Sequence, residues 1–203
     1  MALAHKDPRM NIQEYLELIQ NDPEHRYEYI DGEVYMMTGG SLRHSRAALN
    51  LSYAIENLLR RKSPCIVYNS DVCFKLAEDC FLYPDVTVCC DLRDSDENSD
   101  EEQELKIVQY PRFVAEVLSP STSARDRGIK AAFYQEHPSL KEFLLIETKS
   151  PKVQLYRRES NNRWTIYLLT QEDELELTSL DMRIPVADIY WRTRFLRRET
   201  EDL

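Results

Sequence analysis

Glu116 sits inside an apolar run, Phe113-Val114-Ala115-Glu116-Val117-Leu118, and Asp85 opens another, Val86-Thr87-Val88-Cys89-Cys90. Runs of this kind read as buried strands. An ionised carboxylate there is costly unless it is paired, hydrogen-bonded or bound to a metal. With period-two alternation Glu116 shares a face with Val114 and Leu118, towards the C-terminal end of its strand, where clefts in α/β sheets form. Asp85 follows Pro84, which restricts Tyr83 to extended geometry. If the two strands are neighbours, both acids converge on one cation. An arginine sealed against Glu116 is the structural alternative.

The rest of the chain supplies the frame. Asn11 to Gln20 has apolar residues at helical spacing. Tyr27 to Ile30 and Glu33 to Met37 read as a hairpin across Asp31-Gly32, a pair suited to a tight two-residue turn. Ser41 caps a long helix to about Lys62, with Leu42, Leu49, Tyr53, Leu58 and Leu59 among its apolar positions. Cys65 to Leu76 reads as a strand bent near Ser70-Asp71, and Pro84–Cys90 and Arg112–Leu118 as the two interior strands. A helix runs from about Pro120 to Glu136, then strands at Leu140–Glu147, Lys152–Arg158, Arg163–Leu169 and Leu175–Leu180. Helices on either side of a mixed sheet make the fold class α/β (α+β), with antiparallel hairpins attached. No linker or repeat divides the 203 residues, so a single domain is expected over 1–203, its core about 11–190.

No apolar run approaches the roughly 20 residues of a bilayer span, and the first ten residues lack a signal-peptide core. The reading is a cytoplasmic protein without a membrane partner. Five cysteines, at 65, 73, 80, 89 and 90, give no paired CxxC spacing. They are expected to be buried reduced thiols rather than a zinc site. The net charge of −10 runs against a phosphate binder. Residues 91–104 hold eight acids against Arg93, however, a net of −7 that leaves −3 for the remainder. That acidic stretch, 91–106, reads as a mobile loop. Basic groups at 60–62, at Arg125/Arg127/Lys130 and at 192–198 read as solvated surface.

Asp126, Lys130 and Tyr134 fall at i, i+4 and i+8 of the helix after Glu116 and share a face. An exposed ion pair is the plain reading of the first two. A phosphate cradle and a simple hinge are both open at Gly39-Gly40-Ser41, as are a site role and an exposed one for His44. Trp164 and Trp191 suit core packing, dimer packing or base stacking.

The series Tyr83-Pro84-Asp85-Val86, Glu116-Val117-Leu118-Ser119-Pro120-Ser121-Thr122, Asp126-Arg127-x-x-Lys130 and Tyr134 resembles the Uma2 family, abundant in cyanobacteria, of the PD-(D/E)xK restriction-endonuclease-like superfamily. Glu28-Tyr29-Ile30-Asp31-Gly32-Glu33 and Gly40-Ser41-x-x-His44 resemble its N-terminal pattern. The resemblance implies a restriction-endonuclease-like core and Mg²⁺-dependent hydrolysis of nucleic-acid phosphodiesters, DNA before RNA, with Mn²⁺ as a substitute metal. It makes Asp85 and Glu116 metal ligands and Glu33 an additional acid, with His44 and Asp126 as weaker candidates. The superfamily lysine two places after Glu116 is replaced by Leu118, and Lys130 resembles the migrated lysine. A homodimer is the superfamily habit. A nuclease-like fold that binds DNA or protein without cutting is the rival expectation, and a mainly structural dimer built on Ile189-Tyr190-Trp191 is a third.

Overall fold

The structure is a computed structural model that describes residues 9–60, 63–95 and 107–195. Its centre is a six-stranded mixed sheet in the order β11-β10-β9-β8-β6-β3. These strands are β3 (Ile66–Asn69), β6 (Val86–Cys89), β8 (Pro111–Leu118), β9 (Glu142–Glu147), β10 (Lys152–Arg158) and β11 (Trp164–Thr170). The two interior strands are indeed neighbours: β6 and β8 pair antiparallel with Val86 opposite Ala115. Strands β8 and β9 run parallel, which requires a crossover, and the helical segment after Glu116 provides it.

On one face lies α2 (Leu42–Leu59). Ser41 caps it by accepting the His44 N–H, and Ala47, Leu51, Ile55 and Leu59 recur every fourth residue to bury one stripe against Val86, Val88, Ala115, Val117 and Leu144. Leu42, Leu49 and Tyr53, expected among the apolar positions of this helix, face outwards instead. The ribbon of β12 (Glu174–Leu177) and β13 (Met182–Pro185) and the short α5 (Val186–Ile189) complete this core.

The other face carries the crossover and a second, five-stranded sheet, β2-β1-β5-β4-β7. Its strands are β1 (Tyr27–Ile30), β2 (Glu33–Met36), β4 (Cys73–Ala77), β5 (Cys80–Leu82) and β7 (Ile107–Val108). Ile30, Phe74, Leu82, Val114, Tyr134, Phe143 and Leu145 form the core between the two sheets. Beyond the second sheet, α1 (Ile12–Asn21) buries Tyr15 against Tyr29, Phe81 and Tyr83. Asp31 and Gly32 take the positive φ values, 47° and 82°, that the β1–β2 turn demands.

Three expectations change. The single bent strand over Cys65–Leu76 is two strands in different sheets, because Asn69 turns the chain by bonding the Asp71 and Val72 amides. The helix after Glu116 contains a π turn: α3 (Ser123–Arg125), the π segment Asp126–Lys130, then α4 (Ala131–Glu136). Cys65 and Cys90 are not reduced thiols but a disulfide across the end of the β3–β6 ladder, while Cys73, Cys80 and Cys89 are free and buried. Part of the acidic stretch is ordered: Asp94 is buried and accepts the Gln109 and Tyr110 amides. The remainder of that stretch, 96–106, lies outside the described residues, as do Arg61 and Lys62.

Candidate active site

The acids of the two interior strands share a face. Asp85 is one step beyond the Val86–Ala115 pair and thus opposite Glu116, and both point to the side that carries the crossover helix. Asp85 uses one oxygen, Oδ2, for both of its polar contacts among the described residues: the Val117 N–H donates to it at 2.7 Å, and His44 Nε2 lies 3.2 Å away. Glu116 is arranged likewise. Its Oε1 accepts from Lys130 Nζ at 2.8 Å and from the Tyr134 hydroxyl at 2.5 Å.

Lys130 is the hub. Besides Glu116, its ammonium lies 2.7 Å from Glu28 Oε1 and 3.4 Å from Asp126 Oδ1, with 3% of its side chain exposed. Both Asp126 and Lys130 are buried, which overturns the reading of an exposed helix pair. The sealed arginine proposed as the partner of Glu116 is replaced by this lysine. Glu28 comes from the other sheet. Its Oε1 also accepts the Tyr83 N–H at 3.3 Å, and its Oε2 sits 3.3 Å from Arg125 Nη2 without a hydrogen bond of good geometry. The Arg125 guanidinium stacks on the Tyr35 ring at 4.1 Å, a placement worth roughly 0.5–2 kcal/mol.

Burial drives the electrostatics. It pushes Glu116 up to about 8, against the pull of Lys130 and with reinforcement from Asp126, Asp85 and Glu28. Burial would lower Lys130, but Glu116, Glu28 and Asp126 together hold it above the usual lysine range. The same balance applies to His44: desolvation lowers it, and Asp85, Asp126 and the Val117 backbone outweigh that and raise it. Tyr134 is raised by burial and by Glu116, so it stays a neutral donor. Three carboxylates, those of Glu28, Glu116 and Asp126, face Lys130, and Glu28 also faces Arg125.

The structure thus brings together Asp85, Glu116, Lys130, Asp126 and His44. It does not bring Glu33 into this group: Glu33 is exposed on the hairpin and accepts the Tyr35 hydroxyl. Glu28, Arg125 and Tyr134 join the cluster without having been assigned a role from the sequence. Glu28 carried a usable signal, since alternation along Tyr27-Glu28-Tyr29-Ile30 puts it on the same side as Ile30, which is buried. Gly40 is required beside His44: a Cβ there would meet the ring Nδ1 at 2.6 Å.

The fold is that of a nuclease-like protein. It matches the crystal structure described as "a putative nuclease belonging to DUF820" from Anabaena variabilis ATCC 29413, with a TM-score of 0.72 over 89% of this chain and 97% of that one, at 18% identity. Residues 12–187 match the family model "Uma2: Putative restriction endonuclease", and the chain belongs to the Uma2 family. Two relatives come from Synechocystis sp. (strain ATCC 27184 / PCC 6803 / Kazusa). "Uncharacterized protein slr1290" is 35% identical over 90% of this chain and 92% of its own length. "Uncharacterized protein sll1609" is 30% identical over 81% and 90% respectively. No described helix is long and apolar enough to cross a membrane, which leaves β-barrels unaddressed.

Proposed function

We propose that this chain is a Mg²⁺-dependent endonuclease that hydrolyses phosphodiester bonds of nucleic acid, with DNA as the substrate. The observation that carries the reading is the way Asp85 and Glu116 are held. Each is fixed by protein donors through one oxygen, Oδ2 and Oε1, while Oδ1 and Oε2 have no protein donor among the described residues. Two carboxylate oxygens plus waters suit Mg²⁺, which is bound through one or two carboxylates and keeps several waters. Among the described residues no group of three or more His, Cys, Asp or Glu side chains is arranged to hold a metal ion, so the ion would rest on these two carboxylates and on water. Mn²⁺ fits the same donor set.

When bound, the ion would polarise a phosphoryl oxygen and acidify a coordinated water. The chain's own residues have separate tasks. Lys130 and Tyr134 aim Glu116, and the Val117 amide and His44 aim Asp85. Glu28 and Asp126 also lie against the ammonium, so Lys130 acts first by positioning. Arg125, part-exposed on Tyr35, is the cation best placed to meet a phosphate as its charge grows. Glu33, on the adjoining hairpin, would reach the cation only through water. The relatives from Synechocystis support the cyanobacterial affiliation of the chain.

A second reading has its own observation. A buried lysine ringed by three carboxylates is held away from a substrate, and with a pI near 5.0 this favours a nuclease-like module that binds without cutting. One experiment separates the two. Plasmid, single-stranded DNA and RNA are incubated with Mg²⁺, Mn²⁺ or EDTA, beside Asp85→Asn, Glu116→Gln and Lys130→Ala, each checked for folding by circular dichroism. The nuclease reading expects metal-dependent cleavage that drops at least a hundredfold in the two acid variants. Cleavage persisting in all three variants overturns it, and retention of DNA without cleavage by any form selects the binding module.

A further inference from the structure

The six-stranded sheet ends in β11, Trp164-Thr165-Ile166-Tyr167-Leu168-Leu169-Thr170, which is seven residues long and carries no charge. It pairs with β10 in an unbroken register from Lys152–Thr170 to Arg158–Trp164, so no bulge turns it away. Outer strands of natural sheets are normally protected by lysine, proline, bulges or shortness, because their free N–H and C=O groups template further pairing. This strand has none of those devices. The other outer strands of the two sheets are shorter: β3 and β2 have four residues and β7 two. Ile166 is 53% exposed and Leu168 71% exposed, side by side on the face shared with Gln154 and Tyr156.

Hydrogen bonding at the hairpin fixes which backbone groups look outwards. The Glu159 N–H donates to the Arg163 carbonyl across the β10–β11 turn. Odd-numbered residues of β11 therefore direct their backbone towards β10, and Trp164, Ile166 and Leu168 direct theirs to the free edge; at Thr170 the N–H donates to Asp173 Oδ2 and the C=O accepts the Asp173 N–H, which closes that end of the strand. We infer that the partner for this edge is a second copy of the chain, added antiparallel about a two-fold axis through Tyr167.

That register is self-complementary throughout. It sets Ile166 opposite Leu168 of the second copy, twice by symmetry, and Trp164 opposite Thr170. Ile166 and Leu168 exchange backbone hydrogen bonds with Leu168 and Ile166 of the other copy, and Tyr167 meets its own copy at a non-hydrogen-bonded position, where side chains approach most closely. Charges are complementary where the strand ends: Arg163 comes beside Gln171 and Glu172 of the other chain, and no like charges face each other within the seven residues. The interface is isologous, so it closes at two chains and builds no fibre. The axis stands normal to the sheet and leaves both crossover helices on the same side.

The test needs no substrate, so its outcome is independent of the nuclease reading. Light scattering behind size exclusion should give twice the 24.0 kDa chain mass at micromolar concentration. The double variant Ile166→Lys/Leu168→Lys should halve that mass with an unchanged circular dichroism spectrum and melting temperature. Tyr167→Cys under mild oxidation should cross-link chain to chain. Thr165→Cys, whose copies would lie about 13 Å apart along the strands, should not. A monomer at every concentration, a dimer that survives both lysines, or cross-linking at Thr165 in preference to Tyr167 would each overturn the inference.

Discussion

Lys130 shows how much one side chain contributes when its partners are all buried. Glu28, Glu116 and Asp126 are packed around the ammonium at 2.7, 2.8 and 3.4 Å, and none can reach water freely. Lys130→Met keeps the aliphatic stem and removes only the charge. Because breaking a buried ion pair from one side leaves an uncompensated charge, this variant should lose about 3–5 kcal/mol of stability, measured by urea unfolding. A loss below 1 kcal/mol would mean that the carboxylates are better solvated than the packing implies. Gly40 offers a change of a different kind. Gly40→Ala should displace the His44 ring from Asp85, lowering cleavage at least tenfold while moving the melting temperature little, since Gly40 itself is exposed. Unchanged activity in that variant would remove His44 from the functional account. Asp85 and Glu116 were legible in the sequence because a charge at or inside an apolar run has few explanations, whereas the spacing of Lys130 suggested an exposed pair and only the family resemblance singled it out. Glu28 was less so: a four-residue strand gives little periodicity, and the partner that rationalises it lies 102 residues away.

Among the elements, the crossover helix departs furthest from its sequence reading. A regular helix is what its composition suggests; the π turn at Asp126–Lys130 ends on Lys130, which three acids surround, and π turns of this kind occur mostly as single insertions in helices, often at functional sites. Just beyond it, His137 is half-buried against the Phe74 ring, with Ser139 Oγ at 3.0 Å. Burial, and secondarily Arg158, hold its pKa below the ordinary 6.5. The unfolded chain therefore binds the proton more readily than the folded one. This contribution to stability is complete above about pH 6.5 and is lost as the pH falls towards the folded-state value. Urea titrations at pH 7.5 and 5.5 should show the wild type losing more stability on acidification than His137→Asn; equal losses would refute the assignment. The disulfide was missed because residues 25 apart in sequence reveal no pairing until the β3–β6 register is known. Closing a loop of that length is worth about 3 kcal/mol, so urea unfolding with and without dithiothreitol should differ by that amount. The bridge lies at the opposite end of β6 from Asp85, and cleavage should be unaffected.

At the scale of the molecule, the order of strands was the part least accessible beforehand. Alternation and turn residues located β1, β2, β8, β9, β10 and β11, but nothing local says that Cys65–Leu76 is shared between two sheets or that Met182–Pro185 folds back on Glu174–Leu177. Those facts depend on long-range burial. The excess negative charge is likewise uneven, concentrated in 91–104. An ionic-strength series should show DNA retention falling steeply with salt, as expected where Arg125 and its basic neighbours carry the contact; a flat response would exclude phosphate recognition by this face. The candidate centre straddles a seam, with Glu28 supplied by one sheet and Glu116 and Asp85 by the other. A nascent or partly unfolded copy, whose halves have not yet met, therefore has no assembled centre. If the cluster cuts nucleic acid as proposed, incomplete molecules are harmless by construction, and a cell would be spared damage from the fraction that never matures.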